Sequence, residues 1–203
     1  FFLPLLCILC FISINAQQKY FITADRLFDG ESIHTDWALL VEGNKIVAVG
    51  PKQSIKVTEG TININYGNST VMPGMIEGHS HLLLYPYKIT DWDTQVLKEP
   101  DSYRTVRATV HAKNTLLAGF TTARDLGTEG AGYSDVSLKR AINEGIIIGP
   151  RLMVAGRAIV STGSYGPKGY DTDQQIMLGA EPADGNDLIR VVRDQIGKGA
   201  DFI

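Results

Sequence analysis

Cysteine is nearly absent from this sequence of 203 residues, because its two cysteines, Cys7 and Cys10, both lie within the first ten positions. The rest of the chain therefore offers no thiol for a disulfide, for a thiolate metal ligand or for a cysteine nucleophile. Any metal ion that the protein binds must be held by histidine, by carboxylate or by a modified side chain.

A strong excess of one charge is also lacking, since 22 acidic residues accompany 19 basic ones and the net charge is -3. A balance this close to neutral gives no reason to expect nucleic acid or an anionic membrane as a partner. The 44% of hydrophobic residues and 20% of charged residues are ordinary for a globular protein and argue against a disordered or fibrous chain.

The first 14 residues are almost entirely apolar and lead into Asn15 and Ala16. A run of this length that ends at a small residue is typical of a secretory signal peptide, and it is shorter than the roughly 20 residues that cross a bilayer. We therefore expect residues 1–16 to be a signal peptide whose start is missing. The expected location is exported, either periplasmic or secreted, with no stable membrane association after cleavage. A retained membrane anchor is the alternative.

Short apolar runs separated by turn signals occupy residues 19–71. A hairpin is predicted where residues 38–41 and 45–49 flank a three-residue turn. Residues 61–65 alternate apolar and polar side chains, as a half-buried strand does. So short an antiparallel β unit would bury little core on its own, and we expect residues 17–72 to be the β-sandwich part of a composite domain.

After Pro73 the pattern becomes an alternation of strands and helices, which predicts βαβ units and a parallel sheet. The predicted strands are residues 71–81, 120–124, 151–155 and 200–203, and the predicted helices are residues 102–117, 136–143 and 187–196. Asp101 is predicted to cap the first helix, which ends before Gly119. Because the long loops follow the strands, we expect the active site at the carboxyl ends of the strands, as in a (β/α)8 barrel. A doubly wound sheet is less favoured, since no Gly-x-Gly-x-x-Gly follows the first strand.

His79 and His81 close the first of these strands, in the segment MPGMIEGHSH. Residues two apart in a strand point to the same face, so both imidazoles are directed to one point at the carboxyl end of the strand. Neutral imidazole is a common ligand of divalent metals. A bare His-x-His pair also arises by chance on surface strands, so the motif alone leaves metal binding and an incidental pair both open. A catalytic metal needs ligands from several elements, and two histidines are only part of such a site.

The segment MPGMIEGHSHL resembles the start of the amidohydrolase superfamily, whose usual form is Pro-Gly-hydrophobic-Ile-Asp-x-His-x-His. The later segments LLAGFTTARDLG, AINEGIIIGPRLMVAGRAI and GKGADFI extend the resemblance, and together they are similar to the imidazolonepropionase-like and Xaa-Pro-dipeptidase-like branch. The resemblance implies one or two divalent metals, commonly zinc, with His79 and His81 as ligands. It also implies hydrolysis of a C–N bond in an amide, a cyclic amide or a dipeptide by metal-bound hydroxide.

The resemblance further implies ligands beyond the fourth strand: a carboxylated Lys, two His and an Asp that is also the general base. We therefore expect an N-terminal fragment of the α/β class. It would have a small N-terminal antiparallel β-sandwich part followed by the first half of a (β/α)8 TIM barrel, over residues 73–203, truncated after about four strands. The fragment itself is expected to be inactive. The alternatives are a truncated non-catalytic product and a secreted binding module, and whether the protein is a homo-oligomer stays open.

Four other polar residues have expected structural roles. His34 and His111 are interpreted as structural or surface histidines. Arg124 and Asp125, which end the second predicted strand, are interpreted as a buried ion pair that supports the barrel, in preference to a contact with substrate.

The aromatic residues of the long loops leave two readings open. Tyr85, Tyr87 and Trp92 follow His81 and would either line a substrate pocket or pack within their own loop. Tyr165 and Lys168, in the third long loop, are candidates for binding a substrate carboxylate.

Overall fold

The computed structural model describes residues 17–171, 173–176 and 178–203, so the predicted signal peptide lies outside the described residues. Within these ranges no helix has the length and apolar character needed to span a bilayer. The chain divides into two compact units, the first ending at Pro73 and the second beginning at Gly74.

The first unit consists of short strands in two sheets. The strands are β1 (Lys19–Thr23), β2 (Arg26–Phe28), β3 (Ile33–His34), β4 (Trp37–Glu42), β5 (Lys45–Pro51), β6 (Ile62–Asn65) and β7 (Thr70–Val71). One sheet has the order β5-β4-β1-β6 and the other has the order β3-β2-β7. The predicted hairpin is confirmed as β4 and β5, which close through Gly43 at a φ of 59°. A two-residue hairpin turn needs such a left-handed residue.

The prediction that this unit is antiparallel is wrong for two strand pairs. β6 runs parallel to β1, and β7 runs parallel to β2. Alternation of apolar and polar residues predicts a strand but carries no information on its direction, and both strands are joined to their neighbours by longer connections than a hairpin. The sheets are therefore mixed, and the β-sandwich arrangement stays a prediction.

The second unit alternates strands and helices. The elements are β8 (Met75–Ser80), α1 (Asp101–Leu117), β9 (Phe120–Asp125), α2 (Ser134–Asn143), β10 (Arg151–Val154), β11 (Ile159–Val160), β12 (Glu181–Pro182) and α3 (Asp187–Gly197). β8, β9 and β10 form a parallel sheet with β9 in the middle, and β11 pairs in parallel with β12. The predicted α/β class is confirmed, whereas the closed eight-stranded barrel stays a prediction.

The predicted helix cap is wrong. α1 begins at Asp101 itself, and the first helical hydrogen bond runs from the Arg104 N–H to the Pro100 carbonyl over 3.1 Å. Pro100 is the residue that caps the helix, with extended backbone angles and no side-chain bond to the helix. Asp101 therefore lies in the first turn, where its negative charge interacts favourably with the positive end of the helix dipole.

Two strand predictions also need correction. The strand predicted over residues 71–81 is broken after Val71, which belongs to β7 of the first unit. Residues 200–203 are not assigned as a strand. Instead the Asp201 N–H donates to the Val154 carbonyl, while the Asp201 carboxylate accepts the Val154 N–H, each over 2.8 Å. A side chain thus takes the hydrogen bond of β10 that a neighbouring strand would otherwise make.

The core of the second unit lies between the parallel sheet and helices α1 and α2. Arg104, Ala108 and Ala112 are spaced four residues apart on α1 and are all fully buried or nearly so. This spacing places them on one face of the helix. The two alanines let the helix approach Ala123 of β9 and Leu138 of α2, which belong to the same buried cluster.

Arg104 is a charged residue with no exposed surface. Its guanidinium donates to the carbonyl of Leu83 over 3.2 Å, and to the carbonyls of Thr128 and Glu129 over 2.8 Å each. These acceptors belong to the loops after β8 and after β9. One side chain of α1 therefore joins two loops that have no sheet partner for their carbonyl groups.

We expect Arg104→Met to lower the free energy of unfolding by about 3 kcal/mol or more, because three buried carbonyls lose a charged donor. Arg104→Lys should recover less than half of the loss, since an ammonium group cannot reproduce the planar fork. Urea unfolding followed by circular dichroism measures both. The matched control is Arg190→Met on the exposed face of α3, and an Arg104→Met variant as stable as this control would contradict the assignment.

Candidate metal centre

The two histidines of the His-x-His motif lie where β8 ends. β8 stops at Ser80, and His81 is the next residue. Glu77 pairs with Ala123, but Ser80 pairs with Asp125, so β8 holds one more residue than β9 over this stretch. An extra residue of this kind is a β-bulge, which bends the strand and redirects side chains.

The structure brings the two imidazole rings together. Their centroids are 5.3 Å apart and their planes are inclined by 65°. Two imidazoles on one tetrahedral ion such as Zn²⁺ would have centroids about 5 Å apart, given nitrogen–metal bonds of about 2.0–2.1 Å. The pair therefore fits a shared divalent ion. Across residues 17–203, apart from the two gaps, no cluster of three or more His, Cys, Asp or Glu completes such a site.

The orientation of the His81 ring is fixed by a backbone carbonyl. Nδ1 lies 2.9 Å from the carbonyl oxygen of Gly127. Because a carbonyl only accepts, Nδ1 must carry the proton and Nε2 is left as the acceptor of the neutral ring. Histidines that bind metals nearly always donate their second ring nitrogen to a carbonyl or carboxylate in this way.

His79 is exposed and its backbone N–H donates to the Glu77 carboxylate over 3.0 Å. Both histidines and Glu77 line a cleft of about 520 Å³. Tyr85 and Ile89, from the loop after β8, contribute part of its wall. The cleft thus combines two metal-binding side chains and a carboxylate with apolar and aromatic surface.

Asp125 ends β9 and has no exposed surface. Its carboxylate accepts the N–H of Leu82 over 2.9 Å and the N–H of Gly127 over 3.2 Å. Burial raises the pKa of Asp125 to about 7, against the lowering effect of both N–H groups and of His81.

The predicted ion pair between Arg124 and Asp125 is wrong. Successive residues of a strand point to opposite faces. Asp125 is accordingly buried, whereas Arg124 is exposed, donates to the carbonyl of Gly78 over 3.0 Å and lies over the Phe202 ring at 5.5 Å.

His111 has a structural contact and also lines the cleft. Its Nδ1 donates to the carbonyl of Leu82 over 2.8 Å, and its ring meets the Tyr85 ring edge to face at 4.8 Å. Nε2 of His111 is buried without a hydrogen-bond partner among the described residues. Of the aromatic residues predicted for the first loop, Tyr85 lies in the cleft wall and Tyr87 is exposed.

Trp92 and Tyr165 meet at a carboxylate that the sequence did not indicate. The indole N–H of Trp92 donates to Glu129 over 3.0 Å, and the Tyr165 hydroxyl donates to the same oxygen. Burial and this contact raise the pKa of Tyr165. The Tyr165 hydroxyl is thus engaged in a bond within the protein, and Lys168 is exposed. Binding of a substrate carboxylate by either residue stays a prediction. Glu129 itself is buried and has a φ of 49°, and the one hint in the sequence is its position among the glycines of GTEGAG.

Comparison with known proteins gives one family and several relatives. The amidohydrolase family matches residues 70–200. The chain is 29% identical to ochratoxinase from Aspergillus niger, in a match that covers 86% of this chain and 38% of that protein.

Solved structures show the same relationship. A Xaa-Pro dipeptidase with bound methionine in the active site matches at a TM-score of 0.75 and 29% identity, covering 91% of this chain and 46% of that one. A prolidase complexed with N-methylphosphonate-L-proline matches at 0.72 and 26% identity, covering 90% of this chain and 45% of that one. The chain thus spans less than half the length of each of these relatives.

We expect Glu129→Gln to loosen the loop at residues 161–171, because an amide presents a weaker, uncharged acceptor to Trp92 and Tyr165. A loss of about 1.5 kcal/mol would make amide exchange in this loop about tenfold faster. Hydrogen–deuterium exchange with mass spectrometry measures the change, and Glu144→Gln on the exposed end of α2 is the control. Equal exchange in the two variants would show that Glu129 does not hold the loop.

Proposed function

Because this chain belongs to the amidohydrolase family, we propose that the protein is a metal-dependent hydrolase of carbon–nitrogen bonds in which His79 and His81 bind a divalent ion. The observation that carries the proposal is the pair of imidazoles 5.3 Å apart at the end of a parallel strand. The Gly127 carbonyl supports the proposal as well, because it accepts the proton of His81 Nδ1 and so leaves Nε2 of the neutral ring free to bind a metal.

Zinc is the ion we propose, as one or two ions, because imidazole nitrogens suit it and the chain after Cys10 offers no thiolate. When bound, such an ion lowers the pKa of a coordinated water to near neutrality and so supplies hydroxide for hydrolysis. The chain's own contribution is to present Nε2 of His81 and the ring of His79 to one point. Glu77 accepts the backbone N–H of His79 and so holds the strand immediately before this ligand.

The proposed substrate is a small molecule with an amide bond, a cyclic amide or a dipeptide. The relatives named as a Xaa-Pro dipeptidase and a prolidase support a dipeptide, and the relative named ochratoxinase supports a wider choice. The wall that Tyr85 and Ile89 form in the cleft is suited to an apolar side chain of such a substrate.

The proposal includes an exported protein, periplasmic or secreted, without nucleic acid or a stable membrane association as partner. Its support is the apolar run of residues 1–14 and the near-neutral charge balance.

We expect His81→Ala and His79→Ala in the full-length protein to weaken zinc binding more than about 100-fold, since loss of an outer partner alone costs about 10–100-fold. Metal content after dialysis and competition with a chromogenic chelator measure the affinity. Hydrolysis of a panel of dipeptides with carboxyl-terminal proline measures activity.

His34→Ala is the matched control, because His34 stacks on Trp37 within the first unit and is not proposed as a ligand. It should retain the metal. A wild-type protein that binds no divalent ion, or His79→Ala and His81→Ala variants that bind zinc as the wild type does, would overturn the proposal.

A further inference from the structure

We propose that Asp125 is a positioning residue that fixes the orientation of the metal ligand His81. The inference rests on the proposed function, because it assigns Asp125 a role only if His81 binds the ion. Asp125 is not itself placed among the ligands.

The inference rests on three hydrogen bonds that connect Asp125, the backbone around His81 and the His81 ring. One oxygen of Asp125 accepts the N–H of Leu82, the residue that follows His81, and the other accepts the N–H of Gly127. The carbonyl of the same Gly127 accepts the ring proton of His81 over 2.9 Å. The single carboxylate therefore holds the backbone on one side of His81 and also the residue that orients its imidazole.

The side chain of Asp125 suits this task because each of its two oxygens accepts one N–H. An amide in the same place would offer one acceptor and one NH₂ group, and NH₂ cannot accept a hydrogen bond. Gly127 contributes its backbone, with a φ of 149° that side chains of L residues rarely adopt. Asp125→Asn would thus lose the hydrogen bond from the Leu82 N–H or the one from the Gly127 N–H, and Gly127 carries the carbonyl that accepts the His81 ring proton.

Other side chains also hold the loop after His81, so a change at Asp125 should affect the orientation of the His81 ring more than the folding of the loop. His111 donates to the carbonyl of Leu82 and Arg104 donates to the carbonyl of Leu83, each from α1. The loop after His81 thus keeps two anchors when Asp125 is changed. We therefore expect Asp125→Asn to fold and to lose mainly the precise orientation of the imidazole.

Asp135 provides a matched control. It is also fully buried in the second unit, and its carboxylate also accepts two backbone N–H groups, those of Val136 and Gly156, over 2.8 and 2.7 Å. Asp135 is linked to the loop that orients His81 less directly, through Gly156, whose carbonyl accepts the N–H of Thr128 over 3.0 Å. Asp135→Asn and Asp125→Asn therefore remove similar hydrogen bonds, but only Asp125 bonds directly to the residue whose carbonyl accepts the His81 ring proton.

The experiment measures zinc affinity by chelator competition, together with thermal unfolding of the metal-free form, in the full-length protein. We expect Asp125→Asn to bind zinc about 10–100-fold more weakly than the wild type, and Asp135→Asn to bind as the wild type does. Both should lower the melting temperature of the metal-free form. Equal zinc affinity in Asp125→Asn and the wild type, or an equal loss of affinity in both variants, would overturn the inference.

A second measurement does not depend on how the Asp125 and Asp135 variants fold. In metal-free wild-type protein labelled with ¹⁵N-histidine, the His81 resonance, assigned by its loss in His81→Gln, should be that of the Nδ1–H tautomer. An Nε2–H tautomer would overturn the inference. A wild-type protein with the Nδ1–H tautomer but no zinc affinity would instead refute the proposed function, so the two failures are distinguishable.

Discussion

The loops after β8 and β9 contain no strand, so their backbone N–H and C=O groups must find other hydrogen bonds inside the protein. An unpaired buried backbone group costs free energy comparable to a lost hydrogen bond. Buried polar side chains meet this requirement. Arg104 binds three loop carbonyls, Asp125 binds two loop N–H groups, and Gln95 binds both the N–H and the carbonyl of Tyr85.

Three of these side chains reach the loop of a neighbouring strand–helix pair in addition to their own loop or helix. Arg104 of α1 reaches the loop after β9, and Asp125 of β9 reaches the loop after β8. Asp135 of α2 accepts the N–H of Gly156 in the loop after β10. Gln195 of α3 holds the loop of its own pair, since it donates to the carbonyl of Arg157 after the same strand. Neighbouring strand–helix pairs thus share the hydrogen bonds that hold the backbone of their loops. The order of the candidate site and the stability of the fold consequently rest on the same buried groups.

Periodicity and turn residues were enough to predict α1, α2, α3, β9 and β10, because each depends on local sequence and on one buried face. They could not give the direction of β6 and β7, which depends on distant pairing. The His-x-His motif also predicted that the rings of His79 and His81 lie close together, as they do. The motif could not predict the roles of the buried polar residues. Asp125 and Arg124 are adjacent and opposite in charge, which suggests an ion pair. Because the two residues are neighbours in a strand, their side chains point to opposite faces of the sheet and do not pair.

The alternation of side chains in a strand does not by itself explain why the rings of His79 and His81 lie so close together. Residues two apart in a regular strand are separated by about 6.5 Å along its axis and project in parallel, so their rings would not incline toward each other. The bulge between Glu77 and Ser80 bends β8 at this point, and the ring centroids come to 5.3 Å. A bulge also disrupts the hydrogen-bond ladder of the strand that contains it.

Arg124 supplies a partner within this bulge, because its side chain donates to the Gly78 carbonyl. Asp125, on the opposite face of β9, binds the N–H of Leu82. The two adjacent residues therefore hold the backbone immediately before His79 and immediately after His81. Their opposite charges match the opposite polarity of the groups they bind, a carbonyl and an N–H. Each of the two adjacent side chains at the end of the central strand therefore has its own backbone partner in β8 or its loop, without an ion pair between them.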